Sequence, residues 1–372
     1  MSIKILSVFG TRPEAIKMLP LVKAVDATDG LTGKVCITAQ HREMLDQIMD
    51  VFDVRADWDL DLMRPDQTLT SITSDVAHGL AEVLQDYEPD LVLVHGDTTT
   101  GFAAALAAFY HQVPVGHVEA GLRTNNIMSP FPEEANRQLI SRIATLHFSP
   151  TELNVENLNT EGVDQHVHIT GNTVIDAFAT TVRDEYAFKS AELAEIDLGT
   201  GRSILLTAHR RENLGEPMRQ IFMAVHELAD KYPDLQFIYP VHKNPAVSNL
   251  AQEVLGKHPR VYLIDPIDVE DLHNLISHSH LVMTDSGGLQ EEAPTLGKPV
   301  LVLRTETERP EAVDAGVARV VGVDKEDIIA AARTLLEDEE EYLSMSRAIN
   351  PYGDGYASER ICAAIQEYFA SK

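Results

Sequence analysis

Short apolar runs alternate with stretches of helical period along almost the whole chain. Strand-length runs occupy residues 3–9, 34–38, 91–95, 115–118, 146–148 and 166–169, and a second series occupies 203–207, 235–241, 261–264, 281–283, 300–303 and 317–321. Between them apolar residues recur every three or four positions, as in 14–27, opened by Pro13, and in 69–85. Strands apolar on both faces and joined by amphipathic helices form parallel sheets, because the crossover helices cover both sides. The expected class is therefore α/β, with two Rossmann-like domains facing across a cleft. The weakest stretch, 183–202, carries an acidic Glu-Leu-Ala-Glu segment and Gly199-Thr200-Gly201. It places a hinge between Gly171 and that stretch, and predicts domains at 1–172 and 173–356. After the turn-rich Asn350-Pro351-Tyr352-Gly353-Asp354-Gly355, a last helix (357–372) carries Ile361, Ile365 and Phe369 on one face, which must dock on something.

The 372 residues, 44% of them hydrophobic, suffice for two buried cores. No apolar run approaches the roughly 20 residues of a bilayer helix. The run 5–9 stops at Gly10-Thr11-Arg12-Pro13, unlike an export signal. Cys36 and Cys362 form no disulfide framework, and free thiols fit a reducing cytoplasm. With 30 Lys and Arg against 58 Asp and Glu, the formal charge is −28. Such a surface repels nucleic acid and anionic membranes. An anionic ligand would need a local island of Arg, Lys, His and helix N-termini.

Ligands of open α/β sheets sit beyond the carboxyl ends of the strands, so polar residues following apolar runs are the first candidates. Phe9-Gly10-Thr11-Arg12-Pro13-Glu14-Ala15-Ile16-Lys17 leads through a glycine turn into a helix, with Arg12 and Lys17 placed for a phosphate. His95-Gly96-Asp97 and His117-Val118-Glu119 each put a carboxylate directly after a strand, and Pro132-Glu133-Glu134-Ala135-Asn136-Arg137 adds acids on a helical first turn. Any one of these could be a solvated acid or a complement to a helix dipole. Clustered, they could not all ionise easily, so at least one should stay protonated, giving an acid and a base in one pocket. In the second half, Ala208-His209-Arg210-Arg211-Glu212 is the cationic island anticipated above. Thr284-Asp285-Ser286-Gly287-Gly288-Leu289-Gln290-Glu291-Glu292 ends a strand and opens a helix. That suits a diphosphate, with Glu292 one turn on for ribose hydroxyls and Arg309 a further cation.

No G-x-G-x-x-G follows a strand and no G-x-x-x-x-G-K-[ST] occurs, so neither a nicotinamide cofactor nor a P-loop is expected. Asp57, Asp59 and Asp61 read as the polar side of an extended segment. His166 and His168 share a strand face, and His273, His278 and His280 lack the spacing of a helical ligand pair, so no metal is expected.

Together these motifs, from Val8-Phe9-Gly10-Thr11-Arg12-Pro13-Glu14 through Ala208-His209-Arg210-Arg211-Glu212 and Asp285-Ser286-Gly287-Gly288 to Asn350-Pro351-Tyr352-Gly353-Asp354-Gly355, resemble the non-hydrolysing UDP-N-acetylglucosamine 2-epimerases over nearly the whole chain. The resemblance implies a glycosyltransferase-B-like fold whose C-terminal helix, 357–372, crosses back to the first domain. It also implies a cofactor-free homodimeric isomerase that interconverts UDP-N-acetylglucosamine and UDP-N-acetylmannosamine for surface polysaccharide. Asp97, Glu119 and Glu133 then match the family's essential acids, and Arg137 and His209 its other catalytic positions. Arg12, Lys17, Ser286, Gly287, Gly288, Glu292 and Arg309 match substrate or UDP contacts.

The chemistry fits those residue types. The C2 hydrogen of the sugar is not acidic, so departure of UDP from C1 followed by loss of the C2 proton is the economical route through 2-acetamidoglucal. It needs an acid and a base near C1–C2 and cations on the leaving diphosphate. Asp97 and Glu119 would share proton transfer, Glu133 would act as an acid or position the sugar, and a cationic His209 would stabilise departing UDP. Some family members are regulated by UDP-N-acetylglucosamine beside the active site, through a segment matched here by Gln40 and His41. Glu43 and Asp66 replace a Gln and an Arg of those relatives, so the same allostery is not expected. A glycosyltransferase of the same fold, a hydrolysing epimerase and a non-catalytic nucleotide-sugar sensor are the alternatives.

Overall fold

The structure, a computed structural model, describes residues 2–38, 42–62, 64 and 67–372, with backbone only at 42–44. The chain divides into two compact units, Met1–Thr180 with Tyr352–Lys372, and Thr181–Pro351.

The first unit runs β1 (Ile3–Phe9), α1 (Arg12–Ala27), β2 (Leu31–Ile37), α2 (Arg42–Phe52), β3 (Trp58–Asp59), α3 (Leu69–Tyr87) and β4 (Leu91–His95). It continues with α4 (Thr99–Tyr110), β5 (Val115–Val118), α5 (Glu133–Ile143), β6 (Leu146–Ser149), α6 (Glu152–Thr160), β7 (Val167–Ile169) and α7 (Thr173–Thr181). Its seven parallel strands lie in the order β3-β2-β1-β4-β5-β6-β7. The apolar alternation works as expected: Leu91 to Val94 are fully buried, and Val92 and Val94 pack with Val76, Leu80, Ala104 and Ala108 of the covering helices.

The second unit contains α8 (Ala191–Ala194), β8 (Arg202–Thr207), α9 (Glu216–Lys231), β9 (Leu235–Pro240), α10 (Pro245–Val254), β10 (Val261–Ile264), α11 (Val269–His278) and β11 (Leu281–Thr284). After these come α12 (Gly287–Glu292), β12 (Val300–Val302), α13 (Pro310–Asp314), β13 (Ala318–Val320), α14 (Lys325–Glu337) and α15 (Glu339–Ser346). Six parallel strands are ordered β10-β9-β8-β11-β12-β13 over a core that includes Leu206, Phe222, Phe237 and Met283. The chain ends in α16 (Ala357–Ala370), which packs on α1 and so belongs to the first unit.

Several boundaries move from their expected places. The division falls at 180/181 rather than 172/173, because α7 caps α16: the Asp176 carboxylate accepts from Ala357 N at 3.1 Å and Ser358 N at 2.6 Å, satisfying helix-terminal donors. Tyr352 also stays with the first unit, its carbonyl accepting from Asn172 N at 2.6 Å. The weak stretch after Arg183 is part of the second unit, where Asp271 takes Tyr186 Oη, Lys189 N and Ser190 N at 2.8–2.9 Å. Pro13 is the second residue of α1, not its first, since Thr11 is the cap. Strand β2 starts at Leu31, three residues early, because pairing with β1 runs from Ile3 to Phe9 and draws in Thr32 and Gly33. The extended segment at Asp57 forms a two-residue edge strand, with Asp57 bound to Lys34 and Val35 N. On α16, Ile361 and Ile365 are buried as expected, but Tyr368 rather than Phe369 completes the docked face.

Each sheet reverses its strand order once, between β1 and β4 and between β8 and β11. At such a point neighbouring crossovers leave toward opposite faces and open a crevice beyond the strand ends. Both reversals coincide with motifs singled out from the sequence.

Candidate active site

In the first unit, the turn after β1 is tied to the turn after β4 by a residue the sequence reading left unassigned. The buried Glu14 carboxylate accepts Gly10 N at 3.0 Å and Thr11 N at 2.8 Å with one oxygen, and the Thr98 hydroxyl at 2.6 Å with the other. The capping-box spacing Thr11-x-x-Glu14 was the available signal. Gly10 has no alternative, since a Cβ there would stand 2.0 Å from Thr38 Oγ1. His117 holds the Gly96 carbonyl at 2.7 Å, and complete burial pushes its imidazole down to about 3, so the ring is neutral and structural.

Around this frame lie two of the predicted acids, Asp97 and Glu119, each paired with a cation. Asp97 Oδ2 accepts Arg137 Nε and Nη2, both at 2.9 Å, while Asn136 holds the Asp97 carbonyl at 2.8 Å. Glu119 sits at φ 63°, a left-handed conformation that costs energy in a side-chain-bearing residue. Its Oε2 accepts Lys17 Nζ and Asn172 Nδ2, the latter at 2.8 Å, and His95 Nε2 faces it at 3.6 Å. Burial works against the Glu119 charge, but Lys17 and His95 outweigh it and hold the carboxyl well below the usual carboxylate range. Oε1 has no partner among the described residues. If one of the clustered acids keeps a proton, it is not Glu119, which neighbouring cations hold ionised.

On α5 the two adjacent acids separate. Glu134 is buried and bound to Arg137 Nη1 at 2.9 Å, Thr124 N at 3.1 Å and Gln138 Nε2 at 3.0 Å. Glu133 is half-buried and, among the described residues, uncommitted, which leaves it available to a ligand. Half-buried Arg12 likewise holds no ion pair among the described residues.

In the second unit, the roles of acid and base are exchanged. Fully buried Asp285, which no sequence argument assigned a role, accepts His209 N and Arg210 N at 2.8 Å and Asn213 Nδ2 at 3.1 Å. It thereby folds the cationic turn over the end of β11. Arg210 and Arg309 converge: a Cβ at Gly287 would lie 3.7 Å from Arg210 Nη2 and 3.9 Å from Arg309 Nη2. Buried Glu291 binds Arg309 Nε and the Glu308 carbonyl takes Nη1 at 3.2 Å, so the cation is held in place with Nη2 toward Gly287. Gly288 lies against Glu292, whose Oε1 would be 3.1 Å from an added Cβ. Ser286 anchors the turn through its N–H to Thr284 Oγ1 at 2.9 Å.

His209 stacks on His242, ring centres 5.5 Å apart. Burial pushes its imidazole below the ordinary value, and His242 and Arg210 push the same way against the partial opposition of Asp285. Burial thus favours the neutral ring at pH 7, and a diphosphate beside it would push it back up toward the cationic form expected there. Gln40, His41 and Asp66 lie outside the described residues, as does the Glu43 side chain. Among the described residues no cluster of three or more His, Cys, Asp and Glu has the arrangement of a metal site.

Two parallel Rossmann-like sheets with interleaved helices, polar clusters at each switch point, and a C-terminal helix returned to the first unit define the glycosyltransferase-B-like architecture. A glycotransferase of kitacinnamycin shares this fold at TM-score 0.68 with 12% identity, over 99% of both chains. Residues 23–366 match the family model described as UDP-N-acetylglucosamine 2-epimerase. The chain is 54% identical to the UDP-N-acetylglucosamine 2-epimerase of Bacillus subtilis, covering 96% of this chain and 94% of that one. The Neisseria meningitidis enzyme, solved bound to UDP-GlcNAc, superposes at TM-score 0.88 with 48% identity over 98% of this chain and 100% of its own. The Methanocaldococcus jannaschii enzyme, in complex with UDP-GlcNAc and UDP, does so at 0.79 with 31% identity over the same shares. The chain belongs to the UDP-N-acetylglucosamine 2-epimerase family. It is an isomerase, and epimerisation is its class of reaction.

Proposed function

We propose that this enzyme interconverts UDP-N-acetylglucosamine and UDP-N-acetylmannosamine by elimination and re-addition of UDP. The second unit takes the nucleotide: Arg210 and Arg309 flank Gly287 with their guanidinium ends, so a phosphate can approach the backbone there between two cations. His209 meets the developing charge of the leaving diphosphate. The first unit serves the sugar. The C1–O bond breaks with its electron pair going to the diphosphate. Glu119 then takes the C2 proton on Oε1 and a C1=C2 double bond forms. Protonation of C2 from the opposite face, by Asp97 or Glu133, and attack of UDP on C1 complete the inversion.

The observation that carries this reading is the state of Glu119: a carboxylate held ionised by Lys17 and His95, with one oxygen uncommitted among the described residues. A base must be unprotonated before it can act. Incubation with UDP-N-acetylglucosamine alone in deuterated water tests it. Deuterium at C2 of both epimers is expected. Release of free N-acetylmannosamine with stoichiometric UDP, or turnover only with an added acceptor, would replace the reading with a hydrolase or a transferase.

A homodimer supplying precursor for surface polysaccharide in the cytoplasm accompanies this function. Exposed Phe109, Tyr110 and Leu139 on the adjoining helices α4 and α5 support self-association through that face. Sedimentation of the wild type and of Tyr110→Asp tests it, with a fall from dimer to monomer expected.

A further inference from the structure

His273 was set aside in the sequence for lacking a metal-ligand spacing, yet the fold encloses it almost completely, at 1% exposure. Burying an imidazole is unfavourable unless both nitrogens find polar partners. Here they do. Nδ1 lies 2.7 Å from the hydroxyl of Thr181, itself fully buried, and Nε2 faces Glu292 Oε2 at 3.5 Å. A bare nitrogen lone pair pointed at a carboxylate would repel it, so Nε2 carries its proton toward Glu292.

The ring's surroundings are rigid. Neighbouring Asn274, also fully buried, donates to the Thr181 carbonyl at 2.7 Å and to the Glu270 carbonyl at 2.8 Å, and accepts Arg183 N at 3.1 Å. Residues 181–183 are thereby fastened to α11, with Thr181 held where its hydroxyl meets the ring. On the other side, Glu292 Oε1 lies 3.1 Å from where a Cβ on Gly288 would stand, while Oε2 faces His273.

We infer that His273 is a positioning residue which, anchored by Thr181, orients Glu292 to receive the ribose diol of the nucleotide. The inference rests on the nucleotide-sugar reading above and deepens it. Glu292 provides the acceptors and His273 prevents the carboxylate from turning away, so ribose recognition is fixed from the first residue of the second unit.

The test compares calorimetric affinities for UDP and for 2′,3′-dideoxy-UDP. The wild type should favour UDP by about 10-fold or more, the usual scale of one charge-assisted hydrogen bond. His273→Asn keeps a polar group near Thr181 but withdraws it from Glu292, and should cut that preference to about 2-fold. Its affinity for the dideoxy nucleotide should not change. His273→Gln, whose amide reaches the Nε2 position, should restore most of the preference, and Thr181→Val, which removes only the anchor, should give an intermediate value. In turnover, His273→Asn should raise KM with little change in kcat.

Equal loss of both nucleotides, an unaltered preference, or a wild type indifferent to the diol would each overturn the role of His273. A wild type that binds no UDP would overturn the nucleotide reading instead, so the two failures are distinguishable. If His273→Asn does not fold, Thr181→Val and His273→Gln decide the matter by the same ratio.

Discussion

The two polar clusters occupy the same topological position and solve opposite problems. In the first unit, bases govern the state of acids: Lys17 and His95 keep Glu119 ionised, and Arg137 is shared between Asp97 and Glu134. In the second, acids govern the position of bases: Asp285 shapes the His209-Arg210 turn and Glu291 holds Arg309. The difference fits the tasks proposed for them. A group that transfers a proton must be set to the right protonation state, whereas a group that receives a leaving anion must be fixed before the charge arrives. For a chain of net charge −28, the second arrangement also concentrates scarce cations where an anionic ligand needs them.

The contrast breaks most sharply at Glu119. Glu119→Gln should lower kcat by about 10³-fold, within the range for loss of a general base, while circular dichroism reports an unchanged fold. Next comes its partner. Lys17→Met removes one of the two partners that together outweigh burial, so the Glu119 carboxyl rises and the acid limb of the kcat/KM profile moves to higher pH, with kcat at pH 7 down about 10²-fold. Stability should follow the same sign. A carboxyl depressed in the folded state stabilises the fold above the ordinary carboxylate range and loses that contribution as pH falls through its own lowered value. The variant should therefore lose stability at pH 7 and little at low pH, as urea titrations at both would read.

In the second unit the expected effects are smaller and of another kind. Gly287→Ala puts a methyl at ordinary contact distance from Arg210 and Arg309, so the fold tolerates it, but the methyl occupies the space proposed for a phosphate. KM should rise about 10-fold, with kcat and the denaturation midpoint nearly unchanged, as expected for loss of uniform binding. Finally, burial favours a neutral His209, and a diphosphate beside it should raise it. Calorimetry of UDP binding in buffers of different ionisation enthalpy near pH 7 should show net proton uptake that His209→Asn abolishes.

Most of the fold was legible in the chain because strand-length apolar runs and helical spacing are local signals, and the site segments announced themselves by following those runs. The neighbours that give these groups their character were not legible. Glu14, Asp285, Glu291 and His273 look like ordinary polar residues in sequence, and Glu133 and Glu134 are indistinguishable until α5 turns one inward and leaves the other uncommitted. His209 stands in a cationic motif, but burial, which no short segment reveals, lowers its imidazole.

Sequence alone determined the α/β class, the two strand series, the excess of acid and the segments that end on strand carboxyl termini, since each depends on residue type and short-range spacing. Tertiary structure decided which cation meets which acid, because Lys17 and Glu119, or His273 and Glu292, are brought together only when sheets close and helices pack. Charge state and orientation depend on distance and burial, quantities that exist only once the chain has folded.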